Sequence, residues 1–292
     1  MIKYQKTNTQ ELKSQIFEQY GVRLSVKRED LNHPFVNGNK WWKLKYNLEE
    51  ASTQGKNTLL TFGGAYSNHI YATAAAAREL GLKSIGIIRG EETVPLNKTL
   101  SFAKTCGMQI HYQSREVYRK KSELEYIQSL HNQFGNFYLI PEGGTNAQAV
   151  RGCKEFAVKL AEETDFDYLC LPVGTGGTMA GMIDGLDDSH HIIGFSSLKG
   201  GTFLEGDIKS HTSKIGNWQL IHDYHFGGYA KFTKLLQEWT TQFENENNIS
   251  LDPVYTSKMM FGVFDLLKKD FFRRGSTILV LHTGGLQGKA NS

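Results

Sequence analysis

The feature that most narrows the possible folds of this chain is a strand-then-helix rhythm. Short apolar runs end in glycine-rich turns, and each turn opens a segment with helical periodicity. A helix over Thr9 to Gly21 and a strand RLSVKRE come first. The turn-rich stretch DLNHPFVNGN then leads into KWWKLKYNLEEA, where Trp41, Leu44, Leu48 and Ala51 fall at helical spacing. Four similar units follow. LLTFGG precedes SNHIYATAAAAREL, and SIGIIRG precedes LNKTLSFAKTCG. MQIHYQS precedes one charged helix, EVYRKKSELEYIQSLHNQFG, and FYLI runs into PEGGTN and a helix from Ala147 to Thr164. A second series holds YLCLPVGTGGT with TMAGMIDGL, then HIIGFSSLKGG and STILVLHTGG, with polar helices near Thr233 to Phe243 and Ser257 to Phe272. Strands alternating with helices imply parallel sheets joined by right-handed crossovers. The expected fold is α/β with two doubly wound parallel-sheet domains, and 292 residues is the length of about two domains.

Composition excludes several functions. Thirty-three basic against 30 acidic side chains leave a formal charge of +3 with no basic stripe, so nucleic acid is not the expected partner. Cys106, Cys153 and Cys170 form no CxxC pair, which argues against a disulfide scaffold or a structural zinc. Nothing has metal-ligand spacing such as HExxH, and no metal is expected. No apolar run reaches membrane-spanning length and the N-terminus lacks an apolar signal core. No membrane partner and a cytoplasmic location are therefore expected.

Parallel α/β sheets bind ligands beyond the C-terminal ends of their strands, so the turns there carry the functional reading. In PVGTGGT, Gly174, Gly176 and Gly177 let successive amides point inward while a helix N-terminus adds positive potential, a cup for phosphate. Met179 stands where a dinucleotide fingerprint needs its third glycine, and the next strand ends Phe195-Ser196-Ser197 without the acid that a ribose wants. The cup suits one phosphate with no adenosine attached. Lys40 lies at the start of a helix carrying Trp41 and Trp42. The helix dipole, and burial under the tryptophans, would lower its pKa and favour the free amine, although one lysine alone is usually a solvated charge. In TFGGAYSNH, Ser67 and Asn68 lie where a helix N-terminus could hold a carboxylate, or where Ser67 simply caps a helix. His69 could act as a base or as a donor. An amine, one phosphate site and one carboxylate site together match the needs of pyridoxal 5′-phosphate chemistry.

KREDLNHPFVNGNKWWKL, TFGGAYSNH, VGTGGTMAGM, LDPVYTSK and LHTGG, in this order, resemble the 1-aminocyclopropane-1-carboxylate deaminase/D-cysteine desulfhydrase family of tryptophan-synthase-β-like, fold type II enzymes. The likeness runs from about Val26 to Gly285. It implies pyridoxal phosphate as cofactor, a small amino acid as substrate and a homodimer. It also implies a larger discontinuous cofactor domain, residues 1–44 and 153–292, and a smaller inserted domain, residues 45–152. By the same resemblance Lys40 is the Schiff-base lysine, Ser67 the active-site serine, and Asn68 the neighbour of the cofactor's 3′-oxygen and the substrate carboxylate, with His69 beside it on the substrate. Gly174, Thr175, Gly176, Gly177 and Thr178 would bind the phosphate, and Tyr229 and Tyr255 match two active-site tyrosines.

Four positions depart from the family pattern, and the N-terminal segment lacks the family's Thr-Pro entry. The ring-opening deaminases carry DPVYE and HLGG where this chain has Thr256 and Thr283, a pattern similar to the desulfhydrase branch. A neutral partner for the pyridine nitrogen makes a weaker electron sink, which suits loss of a thiolate better than cleavage of a carbon–carbon bond. Trp42 and Lys45 also replace the arginine and glutamate of the usual run, either as neutral changes on the helix or, for Trp42, as a narrowing of the site. The expected function is a pyridoxal-phosphate-dependent lyase that eliminates the β-substituent of D-cysteine or a related D-amino acid, giving pyruvate, ammonia and sulfide. Lys40 or a serine or tyrosine hydroxyl would remove the α-proton. The alternatives are deamination of 1-aminocyclopropane-1-carboxylate, a decayed cofactor- or amino-acid-binding protein, and, more distantly, an NAD-linked oxidoreductase.

Overall fold

The structure, a computed structural model, describes residues 1–92 and 94–291. The chain opens with β1 (Thr9–Glu11), α1 (Gln15–Tyr20), β2 (Arg23–Lys27) and α2 (Asn39–Thr53). Next come β3 (Thr58–Gly64), α3 (Asn68–Glu79), β4 (Lys83–Arg89), α4 (Lys98–Thr105), β5 (Met108–Gln113), α5 (Arg115–Tyr118), α6 (Leu124–Phe134) and β6 (Tyr138–Ile140). The remainder is α7 (Ala147–Glu163), β7 (Tyr168–Val173), α8 (Gly177–Gly185), β8 (His191–Ser196), α9 (Phe203–His211), β9 (Trp218–Ile221), α10 (Lys234–Asn247), α11 (Thr256–Lys268) and β10 (Thr277–Leu281).

Two sheets result. One has the order β1-β2-β10-β7-β8-β9, the other β5-β4-β3-β6, and every pairing is parallel except β1 with β2. Residues 58–140 build the four-stranded sheet and interrupt the chain between β2 and β7 of the six-stranded one. Successive side chains of a strand point to opposite faces. In β10, Leu279 and Leu281 therefore enter one apolar cluster while Ile278 and Val280 enter another. In β3, Leu59 faces away from Leu60 and Phe62 in the same manner. Burial on both faces explains the near-continuous apolar runs of the central strands. The cluster holding Leu279 also takes in Leu59, Ile140 and the apolar sides of α2 and α7, and so joins the two sheets.

Three sequence expectations differ from the structure. The predicted helix over Thr9 to Gly21 is a strand followed by a shorter helix. Thr9–Glu11 pairs with Ser25–Lys27, and Leu12 N–H continues the ladder to Leu24 O at 2.9 Å; ladder bonds outweigh weak helical periodicity here. Gly21, at φ 63°, caps α1 as its position suggested. The single charged helix after β5 is broken between α5 and α6. The turn brings Lys121 over the ring of buried Tyr118, 5.3 Å from its centroid, and within 3.3 Å of Glu142. Finally, α9 and β9 arise in a polar stretch whose pattern announced neither.

Candidate active site

The C-terminal ends of β3, β7 and β10 open on one cavity. Lys40, on the first turn of α2, lines it. The loop before Lys40 is fixed from below by buried residues. Asn32 receives Gly38 N–H at 2.9 Å and donates to Gly38 O at 3.1 Å, and the same amide donates to the fully buried Glu29 at 2.8 Å. Gly38 takes φ +66°, and a Cβ there would fall 1.8 Å from the carbonyl oxygen of Thr283. Only glycine lets this loop press against the end of β10. Lys40 Nζ donates to Asn39 Oδ1 at 2.9 Å, and Asn39 Nδ2 donates to Thr178 Oγ1 at 2.9 Å. Burial lowers the Lys40 pKa from 10.5 to about 8.

The tryptophans are not what buries it. Trp42 stacks on Phe156 (centroids 4.8 Å apart, planes at 9°) and donates to Glu29 at 2.7 Å; neither Trp41 nor Trp42 lines this cavity. Trp42 therefore does not narrow the site. As a neutral donor it serves a buried carboxylate that Tyr4, Thr7 and Asn32 also serve. Lys45, the other departure on this helix, pairs with Glu155, which Tyr46 also meets at 2.8 Å.

Sequence reasoning missed Lys43, one turn after Lys40. Its Nζ donates to Gly143 O at 2.5 Å, Thr145 Oγ1 at 2.9 Å and Thr175 Oγ1 at 3.4 Å. Burial, with the charge of Lys40 second, lowers its pKa from 10.5 to about 7. The i,i+3 spacing that puts both lysines on one helix face was the available signal.

Ser67 caps α3, its Oγ accepting from His69 N–H at 3.2 Å and Ile70 N–H at 3.3 Å. Capping consumes its acceptor capacity and leaves its proton free, so the structural and functional readings coexist. Asn68 Oδ1 accepts from Gln287 Nε2 at 2.5 Å, which leaves its amide hydrogens for the cavity. Gln287, just past LHTGG, is a second residue that the sequence did not single out. His69 is buried, with Nε2 2.7 Å from Thr61 Oγ1, and burial followed by Lys43 and Lys40 pushes its pKa well below the usual histidine value.

Gly174, Thr175, Gly176 and Thr178 line the same cavity, and Gly177 starts α8 beside them. Gly176 takes φ +76°, and a Cβ there would press on Ile208 at 2.9 Å. The first-turn amides of α8 have no intrahelical acceptor and aim at this loop. Tyr255 borders the cavity as well as a second, outer chamber that also takes in Tyr229 and Arg89. The two tyrosine rings meet edge-on, centroids 6.1 Å apart, and burial raises both pKa values. Of the two threonines, Thr283 lines the inner cavity and Thr256 does not. The Thr256 hydroxyl donates to Asp252 Oδ2 at 2.7 Å, closing a turn in which Asp252 also accepts the amides of Val254, Tyr255 and Thr256. That bond holds Thr256 in the turn, away from the inner cavity.

No helix among the described residues is long and apolar enough to cross a membrane, and no group of three or more His, Cys, Asp or Glu among them could hold a metal ion. The profile of the family described as pyridoxal-phosphate dependent enzyme matches residues 2–284. The chain is 31% identical over 288 residues to a provisionally named 1-aminocyclopropane-1-carboxylate deaminase of Pyrococcus horikoshii, covering 94% of this chain and 87% of that one. It is 29% identical over 302 residues to the mitochondrial bifunctional D-cysteine desulfhydrase/1-aminocyclopropane-1-carboxylate deaminase of Arabidopsis thaliana, covering 92% of this chain and 73% of that one. The crystal structure of a 1-aminocyclopropane-1-carboxylate deaminase homologue superposes with a TM-score of 0.87 at 28% identity, over 99% of this chain and 92% of that one.

Proposed function

The chain belongs to the pyridoxal-phosphate dependent enzymes, with the two-sheet α/β architecture of fold type II, and on that premise we propose that it eliminates the β-substituent of D-cysteine or a close relative. The residues present fit the cofactor. Lys40 offers a primary amine with a lowered pKa. The α8 amides and the Thr178 hydroxyl form a donor set for one phosphate, and the Lys43 charge is held beside that loop through Thr145 and Thr175. When bound, pyridoxal phosphate supplies an aldehyde that condenses with amines and a ring that takes up the electron pair left at a deprotonated α-carbon.

The protein's own groups do the rest. Ser67 Oγ–H, Asn68 Nδ2 and the Asn68 backbone N–H hold the substrate carboxylate. Lys40 Nζ, whose pKa of about 8 brings the free amine within reach of neutral pH, receives the α-proton. Tyr229 and Tyr255 stay protonated, because burial raises both, and act as donors toward the departing group rather than as bases.

The observation that carries the choice of substrate is the absence of any carboxylate among the described residues lining the inner cavity, where Thr283 supplies a hydroxyl instead. Asp252 lies close behind Tyr255, but its oxygens are taken up by the turn. A neutral pyridine partner supports expulsion of a thiolate over ring cleavage. The names of the Pyrococcus and Arabidopsis relatives favour a second reading, deamination of 1-aminocyclopropane-1-carboxylate. Release of 2-oxo acid from D-cysteine and from the cyclopropane amino acid, measured in parallel with L-cysteine as control, separates the two. Pyruvate from D-cysteine alone is expected; 2-oxobutyrate at a comparable rate would overturn the argument from Thr283. The reading carries with it the homodimer that the resemblance implies and the cytoplasmic location expected from the sequence.

A further inference from the structure

Lys258 is a buried charge that the chemistry at the cavity does not use. It belongs to LDPVYTSK, stands in the first turn of α11 three residues after Tyr255, and is 1% exposed. Its helix neighbours Met259, Met260 and Val263 pack into an apolar cluster. An apolar side chain would serve packing there, whereas a buried ammonium must be compensated by acceptors. Burial lowers its pKa from 10.5 to about 8, against the opposing pull of Asp252. Lys258 lines neither the inner cavity nor the outer chamber. Its Nζ donates to His225 O at 3.0 Å and to Gly228 O at 2.7 Å, two carbonyls of the turn HFGGY that ends in Tyr229.

That turn needs support from outside. Phe226, Gly227 and Gly228 take φ 51°, 93° and 114° in succession. Left-handed backbone is unfavourable for a side chain as large as phenylalanine, and such conformations last where surrounding contacts over-determine them. Inside the turn, Gly228 N–H donates to His225 O at 3.0 Å and Gly227 N–H to His225 Nδ1 at 2.9 Å. From outside, α11 grips the turn twice. The Lys258 ammonium takes the two carbonyls, and Phe261, one turn further on, meets the Phe226 ring edge-on with centroids 5.0 Å apart. Tyr229 follows directly, and its ring meets that of Tyr255, the residue that precedes α11. One helix start thus carries Tyr255 itself and holds Tyr229 through a lysine. We propose that Lys258 is a positioning residue that fixes Tyr229 against Tyr255 where the outer chamber meets the inner cavity.

The inference rests on reading Tyr229 as a donor toward the departing group, and its test separates the two. Lys258→Met removes both bonds and keeps an unbranched side chain. In the cofactor-loaded, full-length protein it should lower turnover roughly 10- to 100-fold, the scale of a misplaced group, with cofactor affinity by absorbance titration unchanged. Turnover is followed on whichever of D-cysteine and the cyclopropane amino acid releases 2-oxo acid. Because the lysine acts through the tyrosine, adding Lys258→Met to Tyr229→Phe should cost no more than about 2-fold further; losses that multiply would overturn the proposal. Lys258→Gln keeps one amide donor, should fall between, and carries the same cycle if the methionine variant does not fold. A second measurement, 19F NMR of protein grown with 3-fluorotyrosine, needs no turnover. The signal missing from Tyr229→Phe should shift or broaden in Lys258→Met and Lys258→Gln, while those of Tyr4 and Tyr118 stay in place. An unmoved Tyr229 signal would overturn the positioning role. Full turnover in Tyr229→Phe, with the signal moved in Lys258→Met, would instead overturn the reading of Tyr229 as a donor.

Discussion

Lys40 and Lys43 show how differently two residues of one type can be read from sequence. Lys40 announces itself through the NGNK turn and the helix behind it. Lys43 stands in WWKLKY like any solvated lysine, and only the fold brings Thr145 and Thr175, from distant parts of the chain, to its ammonium. A cation so placed beside the phosphate loop should act on the cofactor's phosphate above all. Lys43→Met is expected to weaken pyridoxal phosphate binding by roughly 10- to 100-fold, the scale of one charge-assisted bond. Binding of pyridoxal, which lacks the phosphate, should change little. Equal losses for both ligands, followed by absorbance titration, would place the role of Lys43 elsewhere. The threonines teach the same lesson. Thr256 and Thr283 are equivalent on paper, and a hydrogen bond to Asp252 separates them.

At the scale of elements, helix α2 matters because it carries both lysines, and its position is set by close packing against α7. A Cβ on Gly152 would lie 2.0 Å from the carbonyl oxygen of Trp42, and one on Gly181 of α8 would lie 2.4 Å from Cβ of Cys153. These helices approach backbone to backbone, where a single added methyl has no flexible neighbour to displace. Gly152→Ala should therefore cost about 1–3 kcal/mol of stability in urea denaturation, the usual penalty for overpacking. It should also reduce cofactor affinity, because α2 must shift. An unchanged midpoint would mean that α7 slides without cost. Long periodic helices such as α2, α3 and α7 were legible because burial of one face leaves a 3.6-residue imprint. Strand β1 and the break between α5 and α6 were not, because ladder bonds to β2 and the Lys121–Tyr118–Glu142 contacts lie outside any local window.

For the whole molecule, the lysines make stability depend on pH in a set direction. Lys40 and Lys43 fall from 10.5 to about 8 and about 7, so above pH 7 the unfolded chain binds more protons than the folded one. Their contribution to stability therefore rises from about pH 7 to about pH 10 and is constant below that window. Above pH 10 the raised pKa values of Tyr4, Tyr118 and Tyr255 act oppositely, since there the folded chain keeps protons that the unfolded chain loses. The thermal midpoint of the cofactor-free protein should climb from pH 7 to about 9 and drop beyond about 10. A midpoint falling steadily from pH 7 would contradict the burial of the two amines. The sequence by itself determined the α/β class, the parallel sheets, the family and the turns at which chemistry gathers, because apolar periodicity and glycine-bearing turns are local and leave local marks. The tertiary structure alone decided which threonine meets the cavity, where Trp42 points, and that Lys43 joins Lys40. Each of those answers depends on hydrogen-bond partners far away in the chain, and an unsatisfied or spent donor can be counted only after the fold has brought its partners together.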